Sequence, residues 1–308
     1  MSTDTQRPYL IVGRAGQLAT DLAAAAAARN LPAVALGRPD LDLTDASSAA
    51  RVIAALHPRA VVNAAAYTNV DRAESEPELA FALNRDGPAR LAMACAAAGI
   101  PLVHVSTDMV FDGTKDSAYV ETDRTNPLGV YARSKLAGEE AVATALSDHV
   151  VVRVSWVFGP SGDNFVKKLL TWARERGELS IVSDQRGRPT YSPGLAAALL
   201  TLAERMAAGG PAAPRGLLHL AGASLMTRYE QALAVMEGAT ARGGPRAAVK
   251  PVLTRDFPTP ARRPLNAELD PGLAARAHGI RLDRFEADLA LTLDRLLGPI
   301  PTPGRPAS

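Results

Sequence analysis

The sequence predicts an α/β fold, with a Rossmann-like doubly wound parallel sheet and a smaller mixed α/β C-terminal part. Short apolar stretches alternate with alanine-rich helical stretches through the first half of the chain. This alternation is typical of a parallel sheet covered on both faces. A glycine-rich turn joins the first apolar stretch to the first helix, as in dinucleotide-binding folds. After residue 154 the pattern becomes irregular, which indicates a second part built differently.

The individual elements follow this alternation. Strands are predicted at 9–12, 33–36, 60–63, 102–106 and 150–154, with helices at 17–29, 47–56, 76–98 and 130–145. In the second part, helices are predicted at 164–176, 193–208 and 228–241, and strands at 217–220 and 249–253. Because the carboxyl ends of parallel strands meet at one edge, a ligand site is expected there.

Charge and cysteine content exclude several classes of protein. Among 308 residues, 34 are basic and 32 acidic, so the net charge of +2 favours neither nucleic acid nor a membrane surface as partner. Cys95 is the only cysteine, so no intramolecular disulfide is expected and a reducing cytoplasm is predicted. Residues 23–28 are apolar, but a bilayer requires ~20 such residues. The histidines are scattered without metal-site spacing, so no metal is predicted.

The turn after the first predicted strand suits a dinucleotide. Gly13 permits a tight turn, Gly16 lets backbone N–H groups approach a pyrophosphate, and Ala19 is small enough to pack on the sheet. Near the end of the second strand, the chain has Arg38 and no acid before Asp40. An acid there would bind a ribose 2′-hydroxyl, whereas an arginine can pair with a 2′-phosphate. NADPH is therefore predicted, with NADH as the alternative.

Tyr131 and Lys135 are four residues apart in a predicted helix. Positions i and i+4 share one helix face, so the phenol and the ammonium can reach one cleft. A nearby cation lowers the pKa of a phenol, and a phenol so placed can protonate an oxygen. A hydroxyl from Ser106 or Thr107, at the end of a predicted strand, can fix the same oxygen. These residues predict the reduction of a carbonyl group.

A polar loop at 112–127 separates a predicted strand from this helix. Loops of this length often serve as lids over a site. A surface excursion is an equally good interpretation, and the sequence leaves both open.

Eight short motifs, separated along the chain, carry a family resemblance. They are GRAGQL at 13–18, NAAAYTNVD at 63–71, VSTDMVFDG at 105–113, VYARSKLAGE at 130–139, SWVF at 155–158, NF at 164–165, DQRGRPT at 184–190 and PARRP at 260–264. In these motifs the chain resembles the extended short-chain dehydrogenase/reductases. More narrowly, it resembles the dTDP-4-dehydrorhamnose reductase family, which reduces the 4-keto group of a nucleotide-linked 6-deoxysugar. The resemblance spans residues 9–297.

The resemblance implies roles for individual residues. The implied catalytic residues are Thr107, Tyr131 and Lys135. The implied cofactor-binding residues are Gly13, Gly16, Gln17, Leu18, Arg38, Asp42, Leu43, Asn63, Ala64, Ala65, Tyr67, Ser106, Tyr131 and Lys135. The implied substrate-binding residues are Thr107, Asp108, Met109, Trp156, Asn164, Phe165, Gln185, Arg188, Pro189, Thr190, Arg262 and Arg263. An arginine among them is expected to pair with the diphosphate.

The implied organisation places a NAD(P)-binding Rossmann domain at 1–155 and a mainly substrate-binding part at 156–298. Some segments of the second part are expected to return to the first. Residues 299–308 are predicted to be a flexible tail. The predicted ligands are NADPH and a dTDP-linked 4-keto-6-deoxysugar.

Two departures from the family pattern affect the predicted substrate and assembly. The family usually has a tyrosine that touches the sugar directly after its Thr-Asp pair, and this chain has Met109. An antibiotic-type deoxysugar is therefore predicted, with dTDP-L-rhamnose synthesis as the closest alternative. Some members dimerise through acidic residues around magnesium; Asp21 fits one such position, but Pro193 stands at another. No magnesium dependence is predicted, and a homodimer stays open.

Two other functions compete with reduction. A sugar-nucleotide 4,6-dehydratase on the same fold carries an Asp-Glu pair after the threonine, whereas here Met109 follows Asp108 and has no ionisable group. A non-catalytic NADP-binding regulatory subunit has no need of Thr107, Tyr131 and Lys135 together. Both alternatives are therefore weaker than the reductase.

Overall fold

The computed structural model describes residues 7–301 of the chain. A parallel sheet contains β1 (Tyr9–Val12), β2 (Ala33–Leu36), β3 (Val61–Asn63), β4 (Leu102–Thr107), β5 (His149–Val154) and β10 (Gly216–Leu220). The shorter strands are β6 (Val157–Phe158), β7 (Glu178–Val182), β8 (Arg186–Gly187), β9 (Thr190–Tyr191), β11 (Met226–Thr227) and β12 (Ala248–Val252). The large sheet has the order β2-β1-β3-β4-β5-β10, so the chain winds away from β1 in both directions. The predicted doubly wound α/β fold is confirmed.

Helices cover both faces of this sheet and form the second part. They are α1 (Gln17–Ala28), α2 (Ser48–Leu56), α3 (Pro77–Phe81), α4 (Gly87–Ala98), α5 (Val130–Ala145), α6 (Phe165–Glu175), α7 (Ser192–Ala208), α8 (Arg228–Ala241), α9 (Gly272–His278) and α10 (Phe285–Leu297). The single helix predicted at 76–98 is wrong, because a π-helical segment at Ala82–Asp86 separates α3 from α4. The elements that were not predicted are β6, β7, β8, β9, β11, α9 and α10.

Three apolar cores hold the layers together. On one face of the large sheet, α1 and α7 bury leucines such as Leu22 and Leu199. On the other face, α2, α4 and α5 contribute Ile53, Leu91 and Val142. A third core joins α6, α8 and α10 around Phe285 and other residues of the second part. Strand β10 joins the large sheet beside β5, and α7 packs on one face of that sheet. Segments of the second half therefore complete the large sheet and its cover.

The loop at 112–127 is fastened to the second part of the molecule. The Phe111 and Tyr119 rings stack with centroids 4.1 Å apart, and the backbone N–H of Tyr119 donates to the Glu268 carbonyl at 2.8 Å. Within the loop, Lys115 Nζ lies 2.6 Å from Asp123 Oδ2. These contacts hold the loop in its position here, and both the lid and the surface-loop interpretations stay predictions. The tail predicted at 299–308 lies, beyond residue 301, outside the described residues.

The carboxyl ends of β1, β3, β4 and β5 meet at one edge of the sheet. Gly13 follows β1, Ala64 follows β3, and Thr107 ends β4. In residues 7–301, no helix is both long and apolar enough to cross a membrane. The fold thus brings Gly13, Ala64 and Thr107 to a single edge of the sheet.

Candidate active site

Tyr131 and Lys135 lie one turn apart in the first half of α5. The backbone N–H of Val130, the first residue of this helix, donates to Glu74 Oε1 at 2.7 Å. Lys135 is buried, and its Nζ donates to the carbonyl oxygen of Val105 in β4 at 2.7 Å. The lysine therefore ties α5 to the strand that carries the candidate hydroxyl groups.

Thr107 provides the hydroxyl group that meets Tyr131. Its Oγ1 donates to Asp108 Oδ1 at 2.9 Å and accepts the backbone N–H of Met109 at 3.2 Å. A side-chain hydrogen bond also joins Thr107 to the Tyr131 phenol. Phenol and hydroxyl thus face one point, where a carbonyl oxygen can accept hydrogen bonds from both.

Ser106, the other candidate hydroxyl, donates a hydrogen bond to Glu139. The Glu139 carboxylate forms an ion pair with Arg153. Arg153 Nη2 donates to Glu139 Oε2 at 2.7 Å, and its Nε donates to both carboxylate oxygens at 3.0 and 3.2 Å. All three side chains are buried. This bidentate pair fixes the end of β4 against α5 and β5, a few ångströms below the reacting groups.

Burial controls the protonation of these groups. It raises the pKa of Tyr131 to about 12, with Asp108 adding to the rise and the Thr107 hydrogen bond opposing it. The sequence predicted that a nearby cation lowers the pKa of the Tyr131 phenol, and this prediction is wrong. Burial also lowers the pKa of Lys135 to about 8, against an opposing effect of Glu139. At neutral pH the phenol keeps its proton, as a proton donor requires.

A cleft of about 900 Å³ opens beside these residues. Ligand clefts usually measure roughly 300–1,000 Å³, so this one has room for more than one small ligand. Predicted residues that line it are Gly13, Gly16, Gln17, Leu18, Arg38, Asp42, Leu43, Ala64, Ala65, Ser106, Thr107, Asp108, Tyr131, Lys135, Trp156 and Phe165. The structure therefore brings together cofactor, catalytic and substrate candidates.

The glycine-rich end of the cleft fits a dinucleotide pyrophosphate. Gly13 has φ +124°, and a Cβ there would lie 3.0 Å from the Cβ of Ala19, so both residues must be small. Gly16 precedes α1, and a Cβ at this position would meet nothing within 4 Å. The N-terminus of α1 is thus open toward the cleft, and its N–H groups can receive an anion.

Charged side chains surround the far end of this groove. Arg38, Asp42 and Leu43 line it, as predicted, and Arg14 lines it as well. Arg14 Nη2 lies 2.6 Å from Asp40 Oδ2, with both side chains about half exposed. Two arginines therefore line the part of the cleft where the sequence predicts a 2′-phosphate contact from Arg38 alone.

Asn63 and Tyr67 act on the loop after β3 and do not line the cleft. Asn63 Oδ1 accepts the backbone N–H of Ala65 at 3.1 Å. Tyr67 donates its hydroxyl to Glu76 Oε2 at 2.8 Å, and its backbone N–H donates to Asn84 Oδ1 at 2.8 Å. Both residues shape the loop whose Ala64 and Ala65 reach the cleft.

Trp156 and Phe165 form an aromatic wall opposite Tyr131. Trp156 has φ +47°, a conformation that is rare for a bulky residue. Its indole lies against Gly187, where a Cβ would come within 2.6 Å of the ring. On the wall lies the guanidinium of Arg228, 3.6 Å from the Trp156 ring centroid and 4.9 Å from that of Phe165. Arg228 lines the cleft, although no sequence pattern pointed to it.

Eight predicted substrate contacts lie outside the set of cleft-lining residues described for this structure. Asn164 caps α6 through Lys167, Gln185 donates to Thr254, Thr190 accepts from Gly222, and Arg188 is paired with Glu268 at 2.6 Å. The others are Met109, Pro189, Arg262 and Arg263. Arg263 donates to both carboxylate oxygens of Asp71, at 3.0 and 2.9 Å. Their roles toward a ligand stay predictions.

The cleft also contains residues that were not predicted. Besides Arg14 and Arg228, these include Thr68, Val70, Gly162 and Asp163. Within residues 7–301, no group of three or more His, Cys, Asp or Glu side chains is arranged to hold a metal ion. Arg228 differs from the rest in placing a positive charge beside Asp108 and the aromatic wall.

Comparison with known proteins places this site in a family. The model of the RmlD substrate binding domain family matches residues 7–297. A dTDP-4-dehydrorhamnose reductase of Sinorhizobium fredii is 44% identical over 90% of this chain and 93% of its own. One from Mycobacterium tuberculosis is 45% identical over 82% of both chains.

A solved structure agrees with these matches. The dTDP-4-dehydrorhamnose reductase of Bacillus anthracis, in complex with NADP, has a TM-score of 0.87 and 29% identity, covering 94% of this chain and 99% of that one. The resemblance drawn from the eight sequence motifs is therefore confirmed. The chain belongs to the RmlD substrate binding domain family, together with these dTDP-4-dehydrorhamnose reductases.

Proposed function

We propose that this protein reduces the C4 keto group of a dTDP-4-keto-6-deoxyhexose with NADPH. The observation that carries the proposal is the meeting of Thr107, Tyr131 and Lys135 in the cleft that begins at the Gly13 turn. The names of the related reductases and the NADP in the Bacillus anthracis structure support the choice of substrate and cofactor. The family's reactions and the single buried Cys95 support a cytoplasmic setting.

The residues of the chain divide the work between proton transfer and orientation. A bound reduced nicotinamide supplies the hydride for the sugar carbon. Thr107 orients the C4 oxygen by hydrogen bonding, and Tyr131 donates its proton to that oxygen as negative charge develops there. Lys135, held at the carbonyl of Val105 in the same cleft, binds the nicotinamide ribose. Trp156 and Phe165 line the cleft and restrict water beside the sugar.

We propose the L-rhamnose precursor as the sugar, with a deoxygenated antibiotic-type sugar as second candidate. The relatives' names favour the first. Met109, in place of the family's tyrosine, favours the second, because it removes a hydroxyl next to Asp108. Its thioether nevertheless lies outside the described lining of the cleft, so we give its substitution less weight.

Loss of NADPH absorbance with defined substrates tests this function. Wild type and Met109→Tyr are compared on the dTDP-linked L-rhamnose precursor and its 2-deoxy and 3-deoxy analogues. Fast oxidation with the precursor, little changed in the variant, is expected. Preference for a deoxy analogue that Met109→Tyr abolishes would support the antibiotic sugar. NADPH binding without oxidation by any of them would reject the reductase in favour of a regulatory subunit.

A further inference from the structure

The side chain of Arg228 is fixed at the substrate end of the cleft. Its guanidinium lies on the rings of Trp156 and Phe165, and its Nη1 donates to Gln231 Oε1 at 2.9 Å. Among residues 7–301, no carboxylate is within ion-pair distance of it, although Asp108 is near enough to stabilise its charge. Arg228 is therefore held by neutral groups, and its charge stays available to a ligand.

The surface that holds Arg228 is itself rigid. Trp156 occupies the left-handed region, and Gly187 packs closely against its indole. Any side chain at Gly187 would push the indole toward the cleft. A planar guanidinium stacked on such a platform keeps its N–H groups in fixed directions, as recognition of a phosphate requires.

Arg263 is a second cation near Arg228. Arg263 is close enough for its charge to lower the pKa of Arg228, although burial is the larger cause, and that pKa of about 9 still leaves Arg228 protonated at neutral pH. Arg263 is occupied by Asp71. Among residues 7–301, Arg263 has Asp71 within ion-pair distance and Arg228 has no such carboxylate, so Arg228 is the arginine of this pair whose N–H groups can receive an anion.

The order of groups along the cleft indicates which anion fits. Tyr131 and Thr107 receive the C4 oxygen in the proposed reaction, and Asp108 lies near both Tyr131 and Arg228, because its charge raises the pKa of each. In a hexose the diphosphate is attached to C1, across the ring from C4. A sugar whose C4 lies at Tyr131 thus directs its diphosphate away from the phenol, toward the end of the cleft that Arg228 occupies.

We infer that Arg228 is a substrate-binding residue that binds the diphosphate of the nucleotide sugar. The inference rests on the proposed function. It replaces Arg188 and Arg262 as the main diphosphate candidates, because Arg188 is paired with Glu268 and Arg262 lies exposed outside the described cleft lining. By holding the diphosphate, Arg228 helps to place C4 of the sugar at Tyr131.

Calorimetric titration of thymidine diphosphate and thymidine tests this role without any turnover. Arg228→Gln is expected to weaken thymidine diphosphate binding about ten- to a hundredfold, the effect of losing a charge-assisted hydrogen-bonded pair. Binding of thymidine and NADPH should stay as in wild type. Arg59→Gln is the matched control, since Arg59 also lies over an aromatic ring, 5.6 Å from the Tyr9 centroid, but at the amino ends of the strands. It should change neither ligand.

Two results would overturn the inference. If Arg228→Gln leaves the affinity for thymidine diphosphate unchanged but raises the KM for the keto sugar, Arg228 binds the sugar and not the diphosphate. Equal losses for thymidine and thymidine diphosphate would mean that Arg228 only supports Trp156. If Arg228→Gln does not fold, Arg228→Lys serves instead, with a severalfold loss expected for the diphosphate alone, because the ammonium keeps the charge but not the paired donors.

Wild-type turnover separates this inference from the proposed function. Wild type that binds thymidine diphosphate through Arg228 but reduces no keto sugar would refute the reductase. If the wild type reduces the sugar but Arg228→Gln binds thymidine diphosphate as tightly as the wild type, only the role of Arg228 is refuted.

Discussion

Tyr131 is the residue on which the proposed chemistry depends most directly. Its phenol is hydrogen-bonded to Thr107, and burial keeps it protonated at neutral pH. Tyr131→Phe should lower kcat by about 10²–10⁴-fold, the usual contribution of a positioned proton donor. The Kd for NADPH, measured by fluorescence titration, should change little, because the ring remains.

Tyr229→Phe is the control for this substitution, since Tyr229 packs into the core of the second part. It should leave kcat unchanged. A Tyr131→Phe enzyme with wild-type turnover would exclude Tyr131 as the proton donor and leave Thr107 as the remaining hydroxyl in contact.

Lys135 gives the reaction a pH dependence of known sign. Burial lowers the pKa of its ammonium from 10.5 to about 8, so the charged form predominates below pH 8 and is lost above it. The logarithm of kcat/KM for keto-sugar reduction should therefore fall with a slope of about −1 above pH 8. The phenol, with its pKa near 12, does not titrate in this range.

Lys135→Arg tests the assignment of this alkaline limb. A guanidinium stays protonated throughout the range, so the variant should be slower but should lose the fall in kcat/KM above pH 8. An unchanged limb in Lys135→Arg would assign the titration to another group.

At the scale of elements, the position of α5 depends on close contact with the π-helical segment. A Cβ at Gly138 would lie 2.0 Å from the carbonyl oxygen of Asn84, which belongs to that segment. Asn84 also donates to Ser134 Oγ at 2.9 Å and to the Tyr67 carbonyl at 3.1 Å. The interruption between α3 and α4 thus seats the helix that carries Tyr131, in keeping with the frequent use of π segments near functional sites.

Gly138→Ala should therefore destabilise the protein by about 1–3 kcal/mol. Alanine favours a helix by up to about 1 kcal/mol, but backbone on both sides of the contact cannot yield cheaply. Gly177→Ala is the control, because a Cβ there meets nothing within 4 Å, and it should be neutral. Urea unfolding measures both, and equal midpoints for the two variants would show that α5 can shift away from Asn84.

Sequence patterns predicted the elements that have a clear period and strong ends. Residues 130–145 and 228–241 form helices with the predicted bounds, since each begins after an extended residue and runs through small or apolar positions. The π-helical interruption was missed because its residues keep a helical composition, although Gly87 and Pro88 follow it. In α10, Phe285, Leu289 and Leu293 have helical spacing that the prediction overlooked.

The candidate site divides in a similar way. Gly13, Tyr131 and Lys135 could be predicted from the sequence, because a turn or a helix in their own segment determines their position. Arg228 was not readable, because its contact with Trp156 joins residues far apart in sequence and requires an unusual backbone at the tryptophan. Arg263 was predicted as a ligand contact, yet its carboxylate partner Asp71 becomes visible only in three dimensions.

At the scale of the whole molecule, the first domain depends on residues from the second half. Strand β10 pairs with the edge of β5, and α7 covers the sheet face beside α1. Leucines of α7 that are fully buried include Leu195, Leu199, Leu200 and Leu202. Burying four leucines contributes about 6–12 kcal/mol, as much as the whole stability of many domains, roughly 5–15 kcal/mol.

A fragment of residues 1–155 should therefore fail to fold alone, even though it contains the glycine-rich turn, Tyr131 and Lys135. Without α7 and β10, the valines of β5 and the apolar face of α1 meet water, and the exposed strand edge favours aggregation. Circular dichroism and NADPH titration of the fragment, beside the full chain as control, measure the outcome. A cooperative thermal transition with NADPH binding in the fragment would show that 1–155 is an independent domain. It would also show that residues 1–155 fold without the apolar burial that α7 contributes.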